Sequence, residues 1–149
     1  MSIIKRAAVM MLVVAAFLLA GCEEKEKEDV AEYRNNEVSY SKGESCVERY
    51  LLYDSGDYER YIAGMYFGNK VPGINFGTLF ETGYYVQDDS KQEANTAFYP
   101  KKQYDFDTAK LEYLGLEEQV PYSGTLTAKT LTITWYTRRE SVPIIYTRQ

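Results

Sequence analysis

The sequence predicts a mainly β fold, a single antiparallel β-barrel or sandwich, with at most one short helix near its N-terminal end. Tyrosine is abundant, with 15 in 149 residues, and aromatic and β-branched residues favour strands. Turn-forming residues recur at short intervals, as they do between short strands. The segment Thr130–Tyr136 alternates strictly, with Leu131, Ile133 and Trp135 on one face and threonines on the other. Such period-two alternation predicts a strand with one buried face.

Six to eight strands are predicted in all, which is enough to close a small barrel. Pro143 places the final strand at a sheet edge, or lies at the start of that strand. In residues 75–87, Gly77 and Gly83 share one face, where glycines allow a sheet to curl. The opposite face of that segment carries Phe76, Thr78, Phe80, Tyr84 and Val86. The predicted strands are residues 58–67, 75–87, 96–99, 110–114, 122–127, 130–136 and 142–147.

Residues 46–53 fit two structures. Ser45 and Glu48 match the S-x-x-E capping box, and Gly56 is placed to end a helix. The same residues also alternate as a strand. We favour the short helix. Residues 107–116 are a second segment that fits either a helix or, over 110–114, a strand.

The N-terminus carries the three parts of a secretory signal. Lys5 and Arg6 precede an apolar run of 14 residues, 7–20, which is shorter than the roughly 20 residues that span a bilayer. The run ends in Leu19-Ala20-Gly21-Cys22. This tetrapeptide resembles the lipobox of bacterial lipoproteins, and the resemblance implies cleavage between Gly21 and Cys22.

The lipobox resemblance also implies that Cys22 carries a diacylglyceryl group and an acyl group such as palmitate. Several chains together make membrane attachment effectively permanent. Because Glu23 rather than Asp follows the cysteine, the resemblance implies the outer membrane, with the protein on its periplasmic face in the cell envelope. We therefore predict a signal peptide over 1–21, a charged flexible tether over 22–37 and a β-domain over 38–149.

Composition excludes several kinds of chemistry. The chain has no histidine, so Ser-His-Asp and Cys-His catalysis and His-ligated zinc are excluded. We expect no catalytic residue, no metal site and no cofactor. Removal of residues 1–21 takes away two basic residues and lowers the net charge from −5 to −7, which argues against nucleic acid as a partner.

The remaining candidate functional residues also have simple structural explanations. With Cys22 lipidated, Cys46 has no intramolecular partner and is either a small buried hydrophobe or an exposed thiol that pairs with another molecule. Paired carboxylates could perform acid-base work or bind a cation, but without a calcium-loop pattern we expect them to be solvated. Paired basic residues could meet anionic headgroups, although a solvated turn is the simpler interpretation. The acidic pairs are Asp105 with Asp107 and Asp88 with Asp89; the basic pairs are Lys101 with Lys102 and Arg138 with Arg139.

Aromatic residues form the broadest candidate surface, since tyrosine and tryptophan join an apolar body to a polar tip. We expect several of them to be exposed or in a pocket. The set consists of Tyr58, Tyr61, Tyr66, Phe67, Phe76, Phe80, Tyr84, Tyr85, Phe98, Tyr99, Tyr104 and Trp135.

The segment from residue 121, PYSGTLTAKTLTITWY, looks like the closing strands of small lipocalin-like barrels. The resemblance implies a cup that holds a small apolar ligand, and it identifies no ligand-binding residue. We therefore expect a non-enzymatic, lipid-anchored envelope lipoprotein whose partners are the membrane, through Cys22, and a small amphipathic ligand or an envelope component. The alternative is a protein-interaction module, an assembly accessory or an enzyme inhibitor, that acts through exposed aromatic residues.

Overall fold

The computed structural model describes residues 29–40, 42–73, 77–88, 94–136 and 141–149, and every regular element within them is a β-strand. None of these residues belongs to a helix long and apolar enough to cross a membrane. The strands are β1 (Val30–Val38), β2 (Cys46–Tyr53), β3 (Asp57–Tyr66), β4 (Asn69–Val71), β5 (Thr78–Gln87), β6 (Ala94–Asp105), β7 (Lys110–Tyr113), β8 (Tyr122–Leu126), β9 (Thr130–Tyr136) and β10 (Ser141–Arg148).

Eight of the strands close into an antiparallel barrel. In the order β1, β2, β3, β5, β6, β8, β9 and β10, each strand pairs with the next. The barrel closes where β10 pairs with β1, placing Tyr33 opposite Arg148 and Arg34 opposite Thr147. The short strands β4 and β7 extend β3 and β6 at one end. The predicted mainly β fold is confirmed, and it is a closed, lipocalin-like barrel rather than a sandwich.

Alternation along the strands sets the barrel interior. Leu131 and Ile133 on β9 are fully buried and Trp135 packs against them, as the sequence predicts. On β10, Ile144 and Tyr146 are buried while Ile145 between them is exposed. Threonines and charged residues occupy many of the intervening outward positions, so both β9 and β10 present an apolar face to the core.

The predicted helix over residues 46–53 is wrong, because these residues form β2. Cys46, Glu48, Tyr50 and Leu52 are all at most 3% exposed, which is the period of a strand. This segment pairs with both β1 and β3, and the two ladders outweigh the local capping-box pattern. Residues 107–116 form no helix either; they contain a turn followed by β7.

The predicted tether over 22–37 is too long. Residues from Val30 onward form β1, which buries Tyr33 and Val38 and pairs with β2 and β10. The β-domain therefore begins near Val30 instead of residue 38. One tyrosine in a charged segment carries little hydrophobic signal, and only closure of the barrel gives it a buried position. The predicted signal and its residues Gly21 and Cys22 lie outside the described residues.

The face predicted for residues 75–87 is interrupted by register shifts at both neighbours of β5. Phe80 and Glu81 are consecutive and both buried, after which Tyr84 and Val86 are exposed. At Gly83 an added Cβ would lie 2.0 Å from the carbonyl oxygen of Tyr99, so only glycine allows this close strand approach. Phe76 lies outside the described residues.

The two ends of the barrel differ. We call the end where β1 begins the proximal end and the other the distal end. The distal end is filled by rings whose centroids lie 4.6–6.4 Å apart. This distal aromatic cluster consists of Tyr40, Tyr66, Phe67, Phe80, Tyr104, Phe106 and Trp135.

Candidate functional site

Three charged side chains lie inside the barrel, next to the distal aromatic cluster. Glu48 on β2, Arg60 on β3 and Glu81 on β5 are 0%, 1% and 3% exposed. The Arg60 Nε donates to Glu48 Oε1, and Arg60 Nη1 lies 3.5 Å from Glu81 Oε1. We call these three residues the buried ion triad. Pairing of Arg60 with Glu81 across adjacent strands brings two of its members together.

Tyrosine hydroxyls complete the hydrogen bonding of the buried ion triad. The Tyr40 hydroxyl donates to Glu48 Oε2 at 2.6 Å and accepts a hydrogen bond from Arg60 at 3.0 Å. The hydroxyls of Tyr58, at 2.9 Å, and Tyr122 both donate to Glu81 Oε2. Buried charges are costly unless they are paired and hydrogen-bonded, and these tyrosines supply the bonds that water would otherwise make.

The electrostatics of Arg60 follow from this environment. Burial by itself lowers the pKa of the guanidinium, but the charge of Glu48, together with the nearby tyrosines and Glu81, outweighs burial and raises the pKa well above its ordinary value. Arg60 Cζ also lies 5.4 Å from the Trp135 ring centroid and 5.5 Å from that of Phe80, within reach of a cation–π interaction. Arg60 is therefore a fixed cation at the centre of the interior.

A layer of aromatic rings separates the buried ion triad from the proximal end. Tyr50, Tyr58, Phe98 and Tyr146 are at most 1% exposed, and their ring centroids lie 5.1–6.3 Å apart. Together with the buried ion triad and the distal aromatic cluster, this layer fills the interior from the middle to the distal end.

Space remains at the proximal mouth. A recess of about 330 Å³ lies beyond the aromatic layer, with a largely polar accessible lining and a few nearly buried aliphatic residues at its inner end. The Tyr33 hydroxyl in its wall donates to the Thr127 carbonyl at 3.2 Å, and the Tyr85 hydroxyl donates to the Tyr53 carbonyl at 2.7 Å. The residues lining this proximal recess are Ala31, Tyr33, Leu52, Asp54, Tyr85, Gln87, Ala94, Leu126, Thr127, Ala128 and Arg148.

A wider depression lies on the outside of the barrel wall. It has a volume of about 560 Å³ and crosses the outer faces of β3 and β5. We call it the outer groove. It is lined by Tyr53, Asp57, Tyr58, Glu59, Thr82, Gly83, Tyr84 and Lys101.

Of the two acidic pairs considered from the sequence, only Asp105 with Asp107 lies wholly within the described residues. Asp105 Oδ1 accepts hydrogen bonds from the backbone N–H groups of Asp107, at 2.7 Å, and Thr108, at 3.2 Å. This carboxylate caps the turn between β6 and β7. Asp88 is exposed at the end of β5, and Asp89 lies outside the described residues. Among the described residues, no cluster of three or more acidic or cysteine side chains is arranged to hold a metal ion.

The side chains of Lys101 and Lys102 contact different neighbours. Lys101 Nζ donates to Gln119 Oε1 at 2.8 Å, while Lys102 Nζ lies 4.3 Å from the Tyr113 ring centroid. Both side chains interact with neighbouring residues of this wall. Arg138 and Arg139 lie outside the described residues.

The cysteine and aromatic residues considered from the sequence fall into buried and exposed groups. Cys46 is free and 3% exposed, and burial raises the pKa of its thiol to about 12. This fits the small buried hydrophobe. Of the predicted aromatic set, Tyr58, Phe80 and Phe98 are buried, whereas Phe67 and Tyr84 are exposed. With Tyr85 in the wall of the proximal recess, three members of the set are exposed or in a pocket, as expected.

The sequence interpretation missed the buried ion triad. Glu48 lies between Cys46 and Tyr50, and Arg60 between Tyr58 and Ile62, all of which are buried. The sequence signal for such a triad is a charged residue at a position of an alternating strand where the side chain points into the core. For Glu48 this signal can be recognised only if β2 is predicted as a strand. For Glu81 the register shift of β5 breaks the alternation, so the sequence pattern does not place this residue in the core.

Comparison with protein-family models, curated proteins and solved structures finds no significant match to this chain. The fold and sites define a small closed β-barrel with an ionic interior, an open proximal recess and a groove on its wall.

Replacement of Arg60 by Met should lower the free energy of unfolding by about 3–5 kcal/mol, because it leaves two buried carboxylates without their cation. Urea unfolding, followed by the fluorescence of Trp135, measures the change. The matched control is Arg34→Met, which removes a partly exposed pair with Glu32 and should cost less than about 1 kcal/mol. Equal effects of the two variants would contradict the assigned role of Arg60.

Alkaline pH should unfold the barrel. Burial raises the pKa of Tyr50, Tyr58 and Tyr146 above the ordinary value, which is about 10 in an unfolded chain. The stability these groups contribute is present below about pH 10 and is lost as the pH rises above it, because the unfolded chain releases their protons more readily. Part of the phenolate absorbance should therefore appear together with loss of the circular-dichroism signal. Ionisation of all tyrosines in a barrel that stays folded would contradict this.

Proposed function

We infer that this protein is a lipid-anchored lipoprotein of the cell envelope, without enzymatic activity, that holds a small amphipathic molecule in the proximal recess. The observation that carries the proposal is the recess itself. Its volume of about 330 Å³ lies at the lower end of the range for small-molecule sites.

The chemistry of the recess suits a ligand that is part apolar and part polar. The aliphatic side chains of Leu52, Ala94 and Leu126 lie at its inner end and are at most 8% exposed, so most of its accessible lining is polar. Asp54 and Arg148 are exposed at its rim. A small apolar portion can therefore contact the inner end while a larger polar portion meets the polar lining and the charged groups at the mouth.

The position of the recess fits a membrane anchor at Cys22. The first described residue is Asp29, directly before β1 at the proximal end. Seven residues further back lies Cys22, which a fully extended chain would place at most about 25 Å away. A lipid at Cys22 would therefore keep the proximal mouth close to the bilayer surface.

A second function, that of a protein-interaction module, is favoured by the distal aromatic cluster. Phe67 is 57% exposed and Phe106 is 39% exposed, and both lie in turns at the distal end. Phe67 has a φ of 48°, a left-handed conformation that is costly for a bulky residue. Strained exposed residues are often found at functional sites, so this end is the candidate surface for an envelope protein or a target enzyme.

Lipidation is tested by labelling growing bacteria with radioactive palmitate. The wild-type chain should carry the label, and Cys22→Ala should abolish it and leave residues 1–21 attached, because the acceptor sulfur is missing. Mass spectrometry of the purified chain checks the cleavage. Cys46→Ala is the matched control and should keep the label; label that persists on Cys22→Ala would refute the anchor.

Ligand binding is tested with the amphipathic fluorescent probe 1-anilinonaphthalene-8-sulfonate. Ala31→Phe places a ring in the proximal recess and should weaken probe binding at least tenfold, about 1.4 kcal/mol. The control is Ala63→Phe, at a half-buried outward position on β3, which should bind as the wild type does. Near-ultraviolet circular dichroism establishes that both variants are folded. Unchanged binding by a folded Ala31→Phe protein would exclude the recess as the site.

A further inference from the structure

We propose that the outer groove is a binding site for the pyranose rings of a glycan. It is separate from the proximal recess, because all of its lining side chains except that of Tyr58 belong to the outside of the barrel wall. The residues that carry the argument are Tyr53, Asp57, Glu59, Tyr84 and Lys101.

The groove has two tyrosine walls above a low floor. Tyr53 rises from β2 and Tyr84 from β5, with β3 between them. Two strand spacings separate the walls by roughly 10 Å. Between the walls, β3 carries the outward side chains of Asp57 and Glu59, which lie opposite Tyr84 and Thr82 of β5. Gly83 adds no side chain to the floor. The resulting volume of about 560 Å³ has room for more than one sugar ring.

The Tyr84 wall is held in place before any ligand arrives. Its ring stacks on that of Tyr99, with centroids 4.7 Å apart and planes at 9°. Lys101 Nζ lies 5.4 Å from the Tyr84 centroid, and Gln119 fixes that ammonium through a 2.8 Å hydrogen bond. Tyr84 nevertheless remains 40% exposed. An ordered aromatic surface of this kind loses little side-chain entropy on binding.

The opposite wall is fixed by hydrogen bonds. Glu59 accepts from the hydroxyl of Tyr53 through Oε1, and from the Tyr61 hydroxyl at 2.8 Å through Oε2. Asp57 lies at the open end, where its Oδ2 accepts from Ser55 Oγ at 3.1 Å. The groove therefore presents carboxylate acceptors, an ammonium donor and tyrosine faces together.

This combination selects the class of ligand. A pyranose ring has an apolar C–H face, which packs on an aromatic ring, and hydroxyl edges, which donate to carboxylates and accept from ammonium groups. An acyl chain would cover these charged groups without satisfying their remaining hydrogen-bonding capacity. An anionic polymer would meet two carboxylates, Asp57 and Glu59, against the single ammonium of Lys101. A neutral, hydroxyl-rich ring satisfies all of these groups.

The test uses the mature lipoprotein in phospholipid nanodiscs, titrated with chitotetraose and cellotetraose to millimolar concentration. Saturation-transfer NMR detects contact and isothermal titration gives the affinity. Binding of either sugar is expected, and the preferred sugar shows whether acetamido groups contribute. Tyr84→Ala and Asp57→Asn should each weaken it at least tenfold.

The matched control is Tyr113→Ala, which removes a tyrosine that is 79% exposed on another part of the wall and should bind as the wild type does. Binding that survives both groove substitutions, or binding that the control abolishes equally, would overturn the proposal. Absence of binding by the wild type to both sugars would overturn it as well. None of these outcomes bears on the proximal recess, which Ala31→Phe tests independently.

Discussion

The buried ion triad of Glu48, Arg60 and Glu81 is the interaction on which the interior depends. Each member comes from a different strand, and removing ions from water costs several kcal/mol apiece unless partners replace the lost hydration. Here the hydroxyls of Tyr40 and Tyr58 supply hydrogen bonds to the two carboxylates. The triad can therefore be satisfied only when β2, β3 and β5 are in register and the chain after β1 has folded inward. This requirement favours one arrangement of the strands over slipped alternatives.

The buried ion triad also determines which part of the barrel interior has space for a ligand. A closed barrel of eight strands has an interior just wide enough to be filled by side chains or to admit one small ligand. Within the part of the chain that the structure describes, the triad and the rings on either side of it occupy the distal and middle portions, and the proximal mouth keeps open space. The open space is consequently small and sits beside the point where the chain enters the barrel. The order of the strands thus places the space for a ligand and the proposed membrane anchor at the same end of the barrel.

The outer wall is organised by different physics. Outward side chains remain near water, so charged groups need no complete set of partners, and cross-strand pairs such as Tyr84 with Tyr99 order the surface at little cost. Two binding proposals follow from one sheet because successive residues face opposite sides. Tyr53 points into the outer groove while Leu52, its neighbour, lines the proximal recess. A short tether would keep both sites near the membrane surface.

The sequence by itself determined the β class, the position of most strands and the buried face of β9, because period-two alternation is a local property that tertiary contacts reinforce at Leu131 and Ile133. The absence of histidine from the sequence also excluded catalysis and metal binding that depend on an imidazole side chain. Tertiary structure alone decided that residues 46–53 are a strand, that β1 belongs to the barrel and that Phe80 and Glu81 both turn inward. These outcomes depend on pairing between segments distant in the chain and on the burial of charge among partners from several strands. No local sequence pattern specifies which residues become partners or how far apart they lie. The candidate sites could therefore be identified only from the closed barrel.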